Sequence, residues 1–163
     1  MALTQITGSG IAIGAKPNVA FKIIATNTDQ SYTASDYAKI TWETTALDTG
    51  SYWDSTNNRY TPQVAGWYLF GGQLRLQTLS GEVTLISFLL TKNGATSGSE
   101  RLMAQFQTGS DTFTNGEYPF PTGMIQLNGS SDYVEAFFQS EENCNIHDNT
   151  RPSFFWGMLV HPT

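Results

Sequence analysis

The stretch from Trp42 to Leu76 constrains this chain more than any other. Its second half alternates with a period of two. Tyr68, Phe70, Leu74 and Leu76 fall on one face with Gly72 among them, and Gln73, Arg75 and Gln77 fall on the other. Successive side chains of a β-strand point to opposite faces, so this pattern predicts a strand with one face in a core. Trp67 and Leu69 make the other face apolar at the strand's start, and a second surface is expected to cover it there. The first half is turn chemistry carrying isolated aromatics. Asp48-Thr49-Gly50 and the run from Asp54 to Asn58 tolerate left-handed or self-bonded backbone. Trp42, Trp53 and Tyr60 read as plugs that tie long loops to the core, each contributing roughly 2–3 kcal/mol on burial. Pro62 bars Thr61 to Gln63 from a central strand position.

The rest of the chain is read the same way. Val19 to Ala25 is a strand with Phe21, Ile23 and Ala25 on one face, and Lys39 to Glu43 is a short one with Ile40 and Trp42 together. Val83 to Thr91 is apolar on both faces and leads into the hairpin signal Asn93-Gly94, after which Glu100 to Gln107 returns. Gly123 to Leu127 turns at Asn128-Gly129 into Tyr133 to Gln139, again apolar on both faces, and Ser153 to Val160 closes the series. The stretches 26–36, 109–121 and 140–152 read as polar loops. These elements predict an all-β, two-sheet antiparallel sandwich. With 163 residues, one domain is expected. A chain of this length buries about 70% of its unfolded surface and needs neither disulfide nor metal to fold.

The aromatics and turns of the first stretch sit at spacings that resemble the signature of the complement C1q-like globular domain, a relative of the tumour-necrosis-factor fold. Trp42, Asp48, Trp53, Tyr60, Gly66, Tyr68 and Phe70 match it without a gap. Trp42 and Tyr60 stand where Phe is usual and keep an aromatic plug. Gly72 stands where Phe or Tyr is expected, so either a neighbour fills that volume or backbone approaches closely. The segment from Leu127 to Glu135 is similar to the family's Gly-Asp-x-Val segment, with Ser131 in place of the Gly. Ser153, Phe155, Gly157 and Leu159 resemble its closing strand. The resemblance implies a jelly-roll sandwich over residues 18–163 that assembles as a compact homotrimer. Residues 1–17, with Gly8, Gly10 and Gly14, read as an extended leader or attachment arm, and the run from Ile6 to Gly14 resembles segments that precede such domains in phage-encoded proteins.

Composition removes several function classes. Eight Lys plus Arg, no basic cluster and a net charge of -6 disfavour nucleic-acid binding. No apolar run approaches the ~20 residues of a membrane span. The N-terminus lacks a basic, apolar signal pattern, which suits a protein that leaves a bacterial cell by lysis, as virion parts do. Cys144 is the lone cysteine, so no internal disulfide forms. Cys144, His147 and Asp148 share one turn-rich stretch, but a catalytic dyad draws its members from separate elements and needs an orienting third group. Glu141 and Glu142 are adjacent, with nothing to set them across a cleft as glycoside hydrolysis requires. No enzyme activity, catalytic residue or cofactor is therefore expected. The resemblance leaves room for calcium, yet no dense Asp-x-Asp-x-Asp loop exists to supply ligands.

What remains is a binding or structural role. A sandwich needs only one apolar face per strand, so the surplus at Trp67, Leu69, Leu85, Leu89, Tyr133 and Phe137 is expected to form the trimer interface. Tyr32, Tyr37, Tyr52 and Tyr118, set among polar residues, are candidates to stack on sugars. The expectation is a phage virion component, a tail-fibre or appendage knob or a capsid decoration, that contacts other virion proteins and a host-surface glycan or protein. The alternative is a secreted bacterial adhesion module of the same fold.

Overall fold

The computed structural model describes residues 18–25, 29–34, 37–78, 85–107, 116–146 and 152–163. Among these residues fourteen strands follow in chain order: β1 (Ala20–Ala25), β2 (Gln30–Tyr32), β3 (Ala38–Lys39), β4 (Thr44–Asp48), β5 (Trp53–Asp54), β6 (Arg59–Tyr60), β7 (Gly66–Thr78), β8 (Leu85–Lys92), β9 (Arg101–Gln107), β10 (Gly116–Pro119), β11 (Gly123–Leu127), β12 (Val134–Ser140), β13 (Cys144–Ile146) and β14 (Ser153–Pro162). No helix occurs among the described residues. The leader, residues 1–17, lies outside them.

Two antiparallel sheets form the sandwich. The first is built on β7, the long strand read from the alternation at Tyr68 to Leu76. On one edge β7 pairs with β14 and then β13; on the other it pairs with β11 and β10. Beyond β14 the sheet continues through β1 to β4, and beyond β13 it ends at β2. The second sheet runs β5-β6-β12-β8-β9, with β3 also against β12. Asn93 and Gly94 turn β8 toward β9 with φ of 54° and 74°, the left-handed backbone that this residue pair supplies at low cost.

The core between the sheets is largely aromatic. Phe21 of β1 stacks on Tyr60 of β6 with ring centroids 3.9 Å apart and meets Phe155 of β14 edge-on at 4.9 Å. Tyr60, Tyr68, Phe70, Phe88 and Phe155 are fully buried, and Trp42 is nearly so. Trp53 is half-buried and stacks at the rim on Phe21. Gly72 resolves both ways at once. A Cβ there would stand 2.4 Å from the carbonyl oxygen of Phe154 and 2.8 Å from the Phe120 ring. Backbone thus approaches closely, and Phe120, which packs on Phe88 at 5.4 Å, takes the space of the missing aromatic.

Six strands depart from the sequence reading. β4 falls in a stretch read as turn, and its pattern is exposed almost throughout, because it is an edge strand with no core face of its own. β5 and β6 fall in the same turn-rich stretch, and β2, β10 and β13 lie in stretches read as polar loops. Ile40 and Trp42 share burial as expected, although the chain there leaves β3 after Lys39 and is not a ladder strand.

Candidate functional site

Register across the first sheet fixes what its outer face carries. Phe21 and Ile23 of β1 point to the core, so Lys22 and Ile24 point away. Pairing carries this parity to Phe154, Trp156 and Met158 of β14, then to Trp67, Leu69 and Gly71 of β7, then to Met124 and Gln126 of β11. The face is therefore apolar over one half. Trp67 is 40% exposed, Met124 55% and Met158 44%; Leu47 of β4 and Val160 are similarly open. Trp156 lies across Gly71, where a Cβ would come within 2.8 Å of the indole and 3.0 Å of Thr122 Oγ1. The Lys22 ammonium covers the Phe154 ring at 4.5 Å. Toward β10 and β13 the same face turns polar, with Arg75 Nη1 2.8 Å from Glu117 Oε1 and Asn145 opposite Gln77.

The apolar half continues around the sandwich edge. Trp67 and Met124 also line a cleft of about 230 Å³ between the edge strands β9 and β11, together with Leu102 and Arg101. A second cleft of about 220 Å³ adjoins it and shares Lys92 and Gln126. Its floor is a polar node: Lys92 Nζ lies 3.1 Å from Asp132 Oδ2, and Asn93 Nδ2 donates to Asp132 Oδ1 at 2.8 Å. Burial works against the Asp132 carboxylate. Hydrogen bonds from Asn93, Lys92 and the Asn128 N–H outweigh it and hold the group below the usual carboxylate range.

The interface residues named from sequence do not come together on one surface. Trp67 and Leu69 lie on the first sheet's outer face. Leu85, Leu89, Tyr133 and Phe137 take outward parity on the second sheet. Leu89 is fully buried within the single chain, so no partner can touch it directly. Tyr37 begins beside β3 and donates its hydroxyl to Met103 Sδ on β9 at 3.8 Å, a span that passes over β12 and β8. Tyr133 lies beneath the Arg59 guanidinium at 4.6 Å. Leu85 and Phe137 are half-buried. Sequence reading missed Met124, Met158, Trp156 and Val160. The signal was present in the closing strand, where Phe154, Trp156, Met158 and Val160 are apolar on the parity opposite to the core residues.

The four tyrosines named for sugar stacking each make contacts within the chain. Tyr32 packs edge-on against Phe138 at 5.6 Å and donates its hydroxyl to Gln30 Oε1 at 2.8 Å; burial raises its pKa. Tyr37 is the strap just described. Tyr52 lies over Gly50 and meets Tyr60 edge-on. Tyr118 points inward from β10 toward Phe88 and Phe106, and burial raises its pKa too. All four are half-buried in the single chain.

Cys144 is buried on β13, and that burial pushes its thiol up to about 11 despite a hydrogen bond with Ser140. It stays protonated and inert at neutral pH. His147 and Asp148 lie outside the described residues. Among the described residues no three His, Cys, Asp or Glu side chains gather to hold a metal ion.

No family model matches this sequence, and no curated protein matches it. Solved structures do. The globular domain of the zebrafish complement 1qA protein is 14% identical, covering 90% of this chain and 99% of that one with a TM-score of 0.58. Murine APRIL is 14% identical, covering 88% and 99% with a TM-score of 0.59. The Eiger TNF from S. frugiperda is 15% identical, covering 89% and 94% with a TM-score of 0.59. The fold is the two-sheet jelly roll of these C1q and TNF domains.

Proposed function

We propose that the chain is a non-enzymatic binding module that assembles as a homotrimer through the outer face of its first sheet. One observation carries this reading: Trp67, Leu69, Met124, Met158 and Trp156 form one contiguous apolar surface on a chain with a full core behind it. A patch of this kind on a folded chain marks a contact surface, and the C1q-like spacing of the sequence supports three copies as the closing number. Its half-and-half division into apolar and polar parts also fits an interface, with the Arg75–Glu117 pair beside the apolar part to oppose slippage. Assembly would leave the second sheet's outer face and the loops displayed three times over, so that weak contacts to a host-surface glycan or protein add by multivalency. The leader's resemblance to phage-encoded segments supports a place on a virion, as a fibre knob or a decoration protein.

The test pairs two charge substitutions. Leu69→Glu on the first sheet should yield a folded monomer, whereas Phe137→Glu on the second should leave the trimer intact. The reverse pattern would refute the assignment of the surface. Recovery of the protein's peptides from purified phage particles would test the virion role separately, and their absence would remove it.

A further inference from the structure

We propose that Met124 and Met158 make the self-association face an oxidation-sensitive seam, in which peroxide converts the two thioethers to sulfoxides and releases the assembled chains. This rests on the self-association reading above. Methionine belongs among the residues most often buried, yet Met124 and Met158 are both about half exposed in the single chain. Their positions coincide with the apolar surface. Met158 on β14 and Met124 on β11 are the two register partners of Leu69 on β7, one on each side. Directly opposed side chains in a sheet stand about 5 Å apart at Cβ, so the three form one unbroken apolar row. Trp67 occupies the next outward position along β7.

The chemistry is a two-electron transfer. A sulfur lone pair attacks one peroxide oxygen, the O–O bond breaks, the sulfur is oxidised to S=O and the peroxide is reduced to water. The product is a polar, chiral group on the side chain. Placed in a row whose centre is Leu69, the new oxygen has no donor from its row partner. Burying it against another copy therefore weakens the contact. Because the change is reversible by methionine sulfoxide reductases, it can act as a switch and not only as damage. Met103, 43% exposed on the second sheet's outer face, supplies an internal comparison.

The experiment follows molar mass by light scattering before and after hydrogen peroxide, with peptide mapping of each methionine and subsequent treatment with both reductases. Oxidation at Met124 and Met158 should raise the concentration for half-assembly at least about tenfold, and reductase treatment should restore it. The double variant Met124→Leu with Met158→Leu, which keeps volume and apolarity, should stay assembled under the same peroxide even as Met103 oxidises. Assembly that survives sulfoxide formation at both positions overturns the seam while leaving self-association standing. So does oxidation confined to Met103, or dissociation of the double leucine variant. An untreated protein that is already monomeric overturns the seam together with the reading it rests on.

Discussion

At Gly72 the sequence pattern asks for an aromatic and the fold supplies one from elsewhere. Phe120 fills the site, and the Phe154 carbonyl closes the remaining space. Gly72→Ala is therefore expected to destabilise the chain by about 1–3 kcal/mol through overpacking against backbone, read as a lower urea midpoint. An unchanged midpoint would show that the strand yields there. Tyrosine titration gives a second residue-scale prediction. Burial pushes Tyr68 up to about 12 and raises Tyr32 and Tyr60 as well. Each folded-state pKa lies above the unfolded value, so each contributes stability below about pH 10 that is lost as pH rises through the folded value. Tyrosinate absorbance should show these three ionising only as the chain unfolds. Asp132 has the opposite sign. Its folded pKa is depressed, so its contribution is present above the ordinary carboxylate range and is lost as pH falls through the folded value. Asp132→Asn should lower stability at neutral pH and flatten its fall on acidification.

Strands that own a core face were legible, and strands that borrow one were not. β1, β7, β11 and β14 announce themselves through alternating apolar residues and β8 through a continuous apolar run, and the aromatic plugs at Trp42 and Tyr60 were placed correctly by their isolation among turn residues. β4 has no inward apolar set, and β10 is framed by the turn signals Asn115-Gly116 and Pro119 to Pro121. β13 is three residues long within a polar stretch, yet Cys144 and Ile146 are buried because β2 and β7 flank it. Ile146→Ala should thus cost about 2–5 kcal/mol, while Thr45→Ala on β4 should stay within about 0.5 kcal/mol. Comparable losses at both would contradict this division of roles. The candidate surface was half legible for a related reason. Apolar residues on both faces of a strand say that something covers the second face, but not whether it is the same chain or another. Around Leu89 the cover is internal. Around Leu69 it is partial, and the flanking Met124 and Met158 are open.

The whole molecule therefore has two outer faces of different kinds. The second sheet's is partly covered by its own side chains, with Leu89 fully buried, Tyr37 reaching Met103 and Arg59 lying over Tyr133. The first sheet's carries an open apolar half, continuous with the cleft at the β9–β11 edge. A binding module of this shape works by repetition of its displayed surface, and repetition depends on the open face finding another copy. The most direct test is the molar mass of the untreated protein in solution at micromolar concentration, measured by light scattering on an eluting peak. A mass about three times the 17.9 kDa of one chain is the predicted result. A single peak at the mass of one chain would contradict it.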